Sequence, residues 1–220
     1  MARKKDKNGI RIFLVRHGET EWNRTGRFQG RSDVPLNEEG KTQAQATALA
    51  LKDTPFDAIY ASPLSRALET AEIIKTYHPA VPLTTEEDFI EMALGDFDGM
   101  ESRRWFAEYS DFAKAWRDNP GKVRMPGPGG ECLAEVQLRA MTTLEKISQS
   151  HPPNSTLAIC SHNFVILSIL CHAKGISLDR FRELRQNTAA YSVIRKDGNQ
   201  FSIEVMNEQS HLKSSNVPGR

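Results

Sequence analysis

The chain has 220 residues, with 29 basic side chains against 28 acidic ones and a net charge of +1. That length holds one sizeable core rather than two, and charge so evenly balanced excludes a general nucleic-acid face. No apolar run reaches the roughly 20 residues that a bilayer requires, and the basic start leads straight into a core strand rather than a signal peptide. Three cysteines without a paired spacing point to reduced thiols in a cytoplasmic protein. The expected organisation is a disordered basic stretch over 1–9, a single domain over 10–206 and a flexible tail over 207–220.

Ile10 to Val15 is mostly β-branched or apolar, a buried strand that breaks at once into Arg16, His17 and Gly18. Ligands of an open α/β sheet meet the carboxyl ends of its strands, so Arg16 and His17 stand where a ligand is expected. Glu21 to Arg31 has no period and reads as a loop over that strand end. A packing helix is expected from about Asn37 to Lys52, with Asn37 as its cap. Phe56 to Ala61 is a second strand, and Ser62-Pro63 then caps a helix running to about Tyr77. Arg66 falls in its first turn, a placement that serves either an anion or a surface salt bridge with Glu69.

Leu83 to Asp88 reads as a short strand that delivers Glu91, whose apolar neighbours imply partial burial and a raised pKa suited to a proton donor. Phe97, Trp105, Phe106, Tyr109, Phe112 and Trp116 recur at helical spacing, as a packing face or a lid. Pro126 to Glu131 is a flexible loop ahead of an amphipathic helix from about Leu133 to Ser150. Thr156 to Ser161 is a third core strand, ending in His162 before a helix rich in Ile and Leu. Tyr191 to Arg195 and Phe201 to Met206 form a terminal hairpin around Asp197-Gly198-Asn199, and the tail from Ser210 is polar.

Three strand-then-helix units bring His17, Arg66 and His162 to one edge of the sheet, with Arg16 beside the first. Two arginines clamp a phosphate or carboxylate bidentately. Two histidines supply one neutral imidazole as nucleophile and one imidazolium to hold a phosphoryl oxygen. Glu91 supplies the proton that a leaving alkoxide requires. These are the parts of phosphoryl transfer through a phosphohistidine. His17, Glu19 and His162 are also a conceivable zinc set. The two arginines raise the electrostatic cost of a divalent cation, however, and no His-Glu-x-x-His or paired Cys/His spacing is present. The site is therefore expected to need neither metal nor cofactor.

Leu14-Val15-Arg16-His17-Gly18-Glu19-Thr20 resembles the signature of the histidine phosphatase superfamily, which holds cofactor-dependent phosphoglycerate mutases and fructose-2,6-bisphosphatase. The likeness continues through Asn23, Gln29-Gly30, Asp33 with Pro35-Leu36, and Ala61-Ser62-Pro63-Leu64-Ser65-Arg66-Ala67 with Thr70. It runs on through Glu91 with Leu94-Gly95 and Gly99, Pro128-Gly129-Gly130-Glu131, and Ser161-His162, and so spans Ile10 to Met206.

The resemblance implies a three-layer α/β/α sandwich with a mostly parallel central sheet. It implies that His17 is phosphorylated, that Arg16, Arg66 and His162 form the phosphate pocket, and that Glu91 is first acid and then base. By the same likeness Asn23 belongs to the phosphate pocket, and Gln29 with Gly30 to a substrate-contacting loop. Asn163 stands where many members carry glycine, and its amide can still reach a phosphate oxygen. The short span after Glu91 is more like the phosphatases than the mutases, so hydrolysis of a small phosphorylated metabolite is the expected activity. A mutase or sugar-bisphosphatase, or a phosphate-ligand-binding protein impaired by Asn163, are the alternatives. Arg103, Arg104, Lys122 and Arg124 are candidate contacts for a second anionic group. No nucleic-acid or membrane partner is expected, and monomer and homodimer are equally compatible with the sequence.

Overall fold

A computed structural model describes residues 9–215 of the chain. The basic stretch expected to be disordered lies outside the described residues, except for Gly9, which is buried. Six strands, β1 (Ile10–Arg16), β2 (Ala58–Ala61), β3 (Leu83–Thr85), β4 (Thr156–Ser161), β5 (Tyr191–Asp197) and β6 (Gln200–Glu208), form one sheet in the order β3-β2-β4-β1-β5-β6. The first four in that order run parallel, and the β5–β6 hairpin is added antiparallel on the free side of β1.

The sheet is covered on both faces, which is why Ile12 to Val15 of β1 and Leu157 to Cys160 of β4 read as apolar runs rather than alternating ones. Ile12 and Leu14 of β1 join Leu157 and Ile159 beneath α6 (Leu133–Ser150) and α7 (Asn163–Lys174), which contribute Val136, Leu144, Ile166 and Leu170. Phe13 and Val15 face the other way, with Ile59 and Cys160, under α2 (Glu38–Leu51) and α3 (Ser65–Lys75), which contribute Ala48, Leu51, Ala71 and Ile74. Burying one large aliphatic side chain stabilises the fold by about 1.5–3 kcal/mol, so β1, filled on both sides, is its axis. This is the three-layer arrangement expected. Among the described residues no helix is long and apolar enough to cross a membrane.

Several boundaries differ from expectation, each for a local reason. Glu21 to Arg31 is not all loop. Its first residues form α1 (Glu21–Arg24), because Thr20 and Asn23 make a reciprocal capping box in which each side chain accepts from the other's backbone N–H. The helix expected to start at Ser62-Pro63 starts at Ser65, with extended Leu64 before it, and the Ser62 hydroxyl both accepts from Leu64 N–H at 3.3 Å and meets His162. β3 stops at Thr85, and a 3-10 turn over Glu87–Phe89 leads to Glu91. The aromatic run is broken up: Phe97 closes a 3-10 turn over Gly95–Phe97, and the rest falls on two short helices, α4 (Ser102–Glu108) and α5 (Ser110–Asp118), with Tyr109 between them.

The expected flexible tail also needs correction. Asn207 and Glu208 belong to β6, and a 3-10 turn follows over Ser210–Ser215. His211 stacks on Tyr191 with ring centroids 5.7 Å apart and reaches Thr47 of α2 at 3.1 Å. Residues 216–220 lie outside the described part.

One close backbone approach fixes the turn after β1. Gly18 lies against Gly40 in the first turn of α2, and a Cβ on Gly40 would collide with the carbonyl oxygen of Glu19. Gly40→Ala is expected to cost about 1–3 kcal/mol, the usual range for overpacking, and to lower the urea midpoint. An unchanged midpoint would mean that the two turns part freely.

Candidate active site

The register of the parallel strands assembles the site. β1 and β4 pair Arg16 with Ser161, so the next residues, His17 and His162, emerge side by side with ring centroids 5.1 Å apart. β2 lies on the far side of β4 with Ala61 opposite Cys160. Ser62 therefore comes up beside His162, and its Oγ lies 2.7 Å from Nε2 of that ring.

His17 is buried, and its Nδ1 lies 2.7 Å from the carbonyl oxygen of Gly18. A carbonyl only accepts, so Nδ1 carries the proton and Nε2 keeps its lone pair. Burial, then the charges of Arg66 and Arg16, hold its pKa well below the usual 6.5. The ring is neutral at physiological pH, as a nitrogen nucleophile must be. Gly18 N–H in turn donates to Thr70 Oγ1 at 3.3 Å, which fixes the turn.

Arg66 is fully buried and forms no pair with Glu69. Its Nη1 donates to the Ser32 carbonyl at 2.9 Å and its Nη2 to the Gly30 carbonyl at 2.8 Å. Burial lowers its pKa to about 10, against the opposing pull of Glu91, Asp33 and Asp98. It remains charged at neutral pH. The loop that cradles it is itself held by Asp98, whose carboxylate accepts from Gly30 N–H at 2.8 Å and Ser32 N–H at 2.9 Å. Arg16 donates to the Gln186 carbonyl at 2.7 Å and to Asn163 Oδ1 at 3.4 Å. Both arginines are thus anchored by neutral oxygens, and their positive charge is left for an anion. Arg16 Nε, Arg66 Nε, Gln29 Nε2 and His162 Nδ1 are buried without hydrogen-bond partners, at a cost of about 1–3 kcal/mol for each such group.

Glu91 is buried completely rather than in part. Oε1 accepts from Met92 N–H at 2.9 Å, and the two oxygens lie 3.2 and 3.3 Å from Phe164 N–H in the first turn of α7. Burial raises its pKa above the usual 4.5, and the two N–H groups with Arg66 and Arg16 offset this only in part. The group is pushed toward the protonated form that a general acid needs.

The expectation of an imidazolium at His162 is overturned for the free site. Burial first, then Arg66, His17, Arg16 and Arg139, keep its pKa well below 6.5. The arginines that serve the anion also keep the second histidine neutral. Asn23 has its carboxamide oxygen taken up by Thr20, whose hydroxyl lies 2.9 Å from Gln29 Oε1. Gly30 turns its carbonyl to Arg66 and its N–H to Asp98. Its backbone positions the arginine.

Other expectations divide. Arg104 pairs with Glu108 at 2.8 Å and Arg124 pairs with Glu135, so neither is free for a second anion. Glu19 is drawn away by Asn37, whose Nδ2 donates to it at 2.8 Å, and among the described residues no group of three or more His, Cys, Asp or Glu is placed to hold a metal. Glu131 of the glycine-rich loop is structural, accepting from Ala93 N–H at 2.8 Å and pairing with Arg139 at 2.9 Å. Two site residues are not signalled as such by the sequence: Ser62 has the composition of a helix cap, and Gln186 carries no local signal. Gln186 is buried, with Nε2 donating to the Ala190 carbonyl at 2.7 Å and Oε1 accepting from Ser192 Oγ at 2.6 Å.

The profile of the histidine phosphatase superfamily (branch 1) matches residues 12–209. The chain belongs to that superfamily. Phosphoserine phosphatase 1 of Hydrogenobacter thermophilus is 34% identical to it, over 92% of this chain and 94% of its own. Phosphoglycerate mutase-like protein 4 of Arabidopsis thaliana is 34% identical, over 93% and 87%. The solved structure of Bacillus stearothermophilus YhfR is similar, with a TM-score of 0.84 at 29% identity over 92% of this chain and 99% of that one. At the level of the superfamily, the expected enzyme class is matched.

The carbonyl cradle makes a specific demand on Arg66. A lysine has the charge but not the planar fork that meets two carbonyls and still faces a ligand. Arg66→Lys is expected to weaken orthovanadate binding at least about tenfold in a calorimetric titration, with an unchanged circular dichroism spectrum. Equal affinity would mean that charge alone holds the anion.

Proposed function

We propose that the protein is a cytoplasmic, metal-independent phosphatase of small phosphorylated metabolites that works through a phosphohistidine at His17. The observation that carries this reading is the state of His17. Its proton is fixed on Nδ1 by the Gly18 carbonyl, and its pKa is depressed first by its own burial and then by the charges of Arg66 and Arg16, two arginines held by carbonyl oxygens.

In this reading Arg16, Arg66 and His162 receive the phosphoryl oxygens, with Gln29, Asn23 and Asn163 around them. The Nε2 lone pair of His17 attacks phosphorus as the ester P–O bond breaks. Glu91 gives its proton to the departing alkoxide, so the alcohol leaves neutral. The Glu91 carboxylate then takes a proton from water as that water attacks the phosphohistidine, which frees His17 and releases inorganic phosphate. The arginines supply the charge stabilisation for which many phosphoryl-transfer sites use a cation. Asn163 Oδ1 accepts from Arg16, so this departure from the glycine of many members supports the pocket rather than blocking it.

The test is phosphate release from a panel of esters, including phosphoserine and 3-phosphoglycerate, in excess chelator, with acid-labile, base-stable phosphoprotein trapped by rapid quenching. The wild type is expected to release phosphate and form the adduct, and His17→Ala to do neither. Isomerisation of phosphoglycerate without net phosphate release would assign a mutase instead.

The pH dependence follows from the two shifts. His17 must be neutral, and its lowered pKa puts the acid limb of kcat/KM below 6.5. Glu91 must be protonated, and its raised pKa carries the alkaline limb above 4.5. Glu91→Gln is expected to remove the alkaline limb and to lower kcat on alkyl esters by about 10²–10⁴, the usual weight of general acid catalysis. A retained alkaline limb would assign it to another group.

A further inference from the structure

A cavity of about 260 Å³ is walled mainly by aromatic side chains, Phe28, Phe97, Trp105, Trp116 and Phe181 among them. The same aromatics do pack edge to face, as Phe97 with Trp105 at 5.8 Å and Trp116 with Phe181 at 5.6 Å. The expected packing face is therefore also a wall. For scale, an apolar cavity of about 150 Å³ holds a benzene ring.

Three wall residues tie the cavity to the chemistry. Phe164 lines it, and the backbone N–H of Phe164 faces the Glu91 carboxyl. Phe28 lines it and precedes Gln29. Leu94 lines it and packs on Gly30, so that a Cβ at position 30 would come within 3.0 Å of Leu94 Cγ. The cavity is thus linked to Glu91 through Phe164, whose ring lines it and whose backbone N–H meets the carboxyl.

Its rim carries Arg117 and Arg182. The Arg182 guanidinium lies 4.6 Å from the ring centres of both Trp116 and Phe181, and its Nη1 donates to the Arg117 carbonyl at 3.2 Å. The nearby Glu183 is engaged by Arg180 at 2.7 Å. Among the described residues neither Arg117 nor Arg182 has a carboxylate partner, although Arg104, Arg124 and Arg180 all do. Two adjacent cations over an apolar hollow fit a ligand that is apolar within and anionic at its outer end.

We propose that this cavity is the leaving-group subsite, and that it takes an aromatic ring bearing an anionic group whose charge meets Arg117 and Arg182. The proposal rests on the hydrolase reading above. It separates this chain's substrate from the smallest phosphate esters, which leave the cavity unused.

Three substrates with similar alcohol leaving groups test it: ethyl phosphate, benzyl phosphate and 4-carboxybenzyl phosphate. The expected kcat/KM rises at least about tenfold from ethyl to benzyl, and again from benzyl to 4-carboxybenzyl. Ala113→Leu, which adds bulk to the wall, is expected to collapse the first ratio. Arg182→Met, which keeps an apolar stem on Trp116, is expected to collapse the second and spare the first. Benzyl phosphate no better than ethyl phosphate, or Ala113→Leu lowering all three equally, would overturn the subsite while leaving the phosphatase intact. Hydrolysis of none of the three would instead count against the hydrolase reading. The subsite is then judged by binding of the inert 4-carboxybenzylphosphonate, followed through tryptophan fluorescence. A response lost in Arg182→Met supports it, and no response in the wild type overturns it.

Discussion

The parallel pairing of β1 with β4 is the constraint from which the site follows. Setting Arg16 opposite Ser161 makes the two strands end together, and the residues that come next are the two histidines. A slip of one residue would send each β1 side chain to the opposite face of the sheet. Ile12 and Leu14 would then exchange layers with Phe13 and Val15, and both apolar faces oppose this. The core therefore enforces the register, and the register places the chemistry. The same logic extends to β2, whose end brings Ser62 to His162.

At that edge, electrostatics is governed by what the arginines lack. Arg16 and Arg66 are held by carbonyls and one amide oxygen instead of carboxylates, so their charge is oriented without being neutralised. Burying a cation this way is costly, and it is tolerated where an anion is to be bound. The consequences differ in sign for the neighbours. Arginine charge and burial act together on His17 and His162, and both push toward the neutral ring. On Glu91 they act against each other, and burial prevails. One pair of arginines thus coexists with a neutral nucleophile and a carboxyl that favours its proton.

Much of this was legible in the chain because it was local. β1, β4, α6 and the terminal hairpin carry apolar runs or clear periodicity, and the Arg-His-Gly break marks a strand end without reference to anything distant. The missed features are non-local or depend on hydrogen bonds that no period reports. Thr20 and Asn23 look like loop residues until their reciprocal bonds make α1. Ser62-Pro63 has the composition of a cap, but the hydroxyl meets a histidine 100 residues away. Gln186 holds Arg16 through its backbone, so its side chain type alone discloses nothing. The tail from Ser210 is polar in composition, yet His211 finds Tyr191 and Thr47. The free basic residues were misplaced for the same reason, since whether an arginine is paired depends on which carboxylate the fold brings to it.

The division of labour within the chain has a physical basis. The groups assigned to phosphoryl transfer sit just past the ends of β1 and β4, in the first turn of α3 and just after the Glu87–Phe89 turn, where sheet register and packing hold them to fixed geometry. α4 and α5, two short helices inserted between the Glu91 segment and α6, contribute Trp105, Phe106, Ala113, Trp116 and Arg117 to the aromatic cavity. Short helices owe their stability to tertiary packing more than to their own hydrogen bonds, and here that packing is the aromatic cluster itself. That cluster is continuous with the core over β1 and β4, since Trp105, Trp116 and Phe181 belong to the same packed body as Ile12, Leu14 and Leu157. The wall and the phosphate site therefore share one core, and they meet through the N–H of Phe164 on Glu91 and the packing of Leu94 on Gly30.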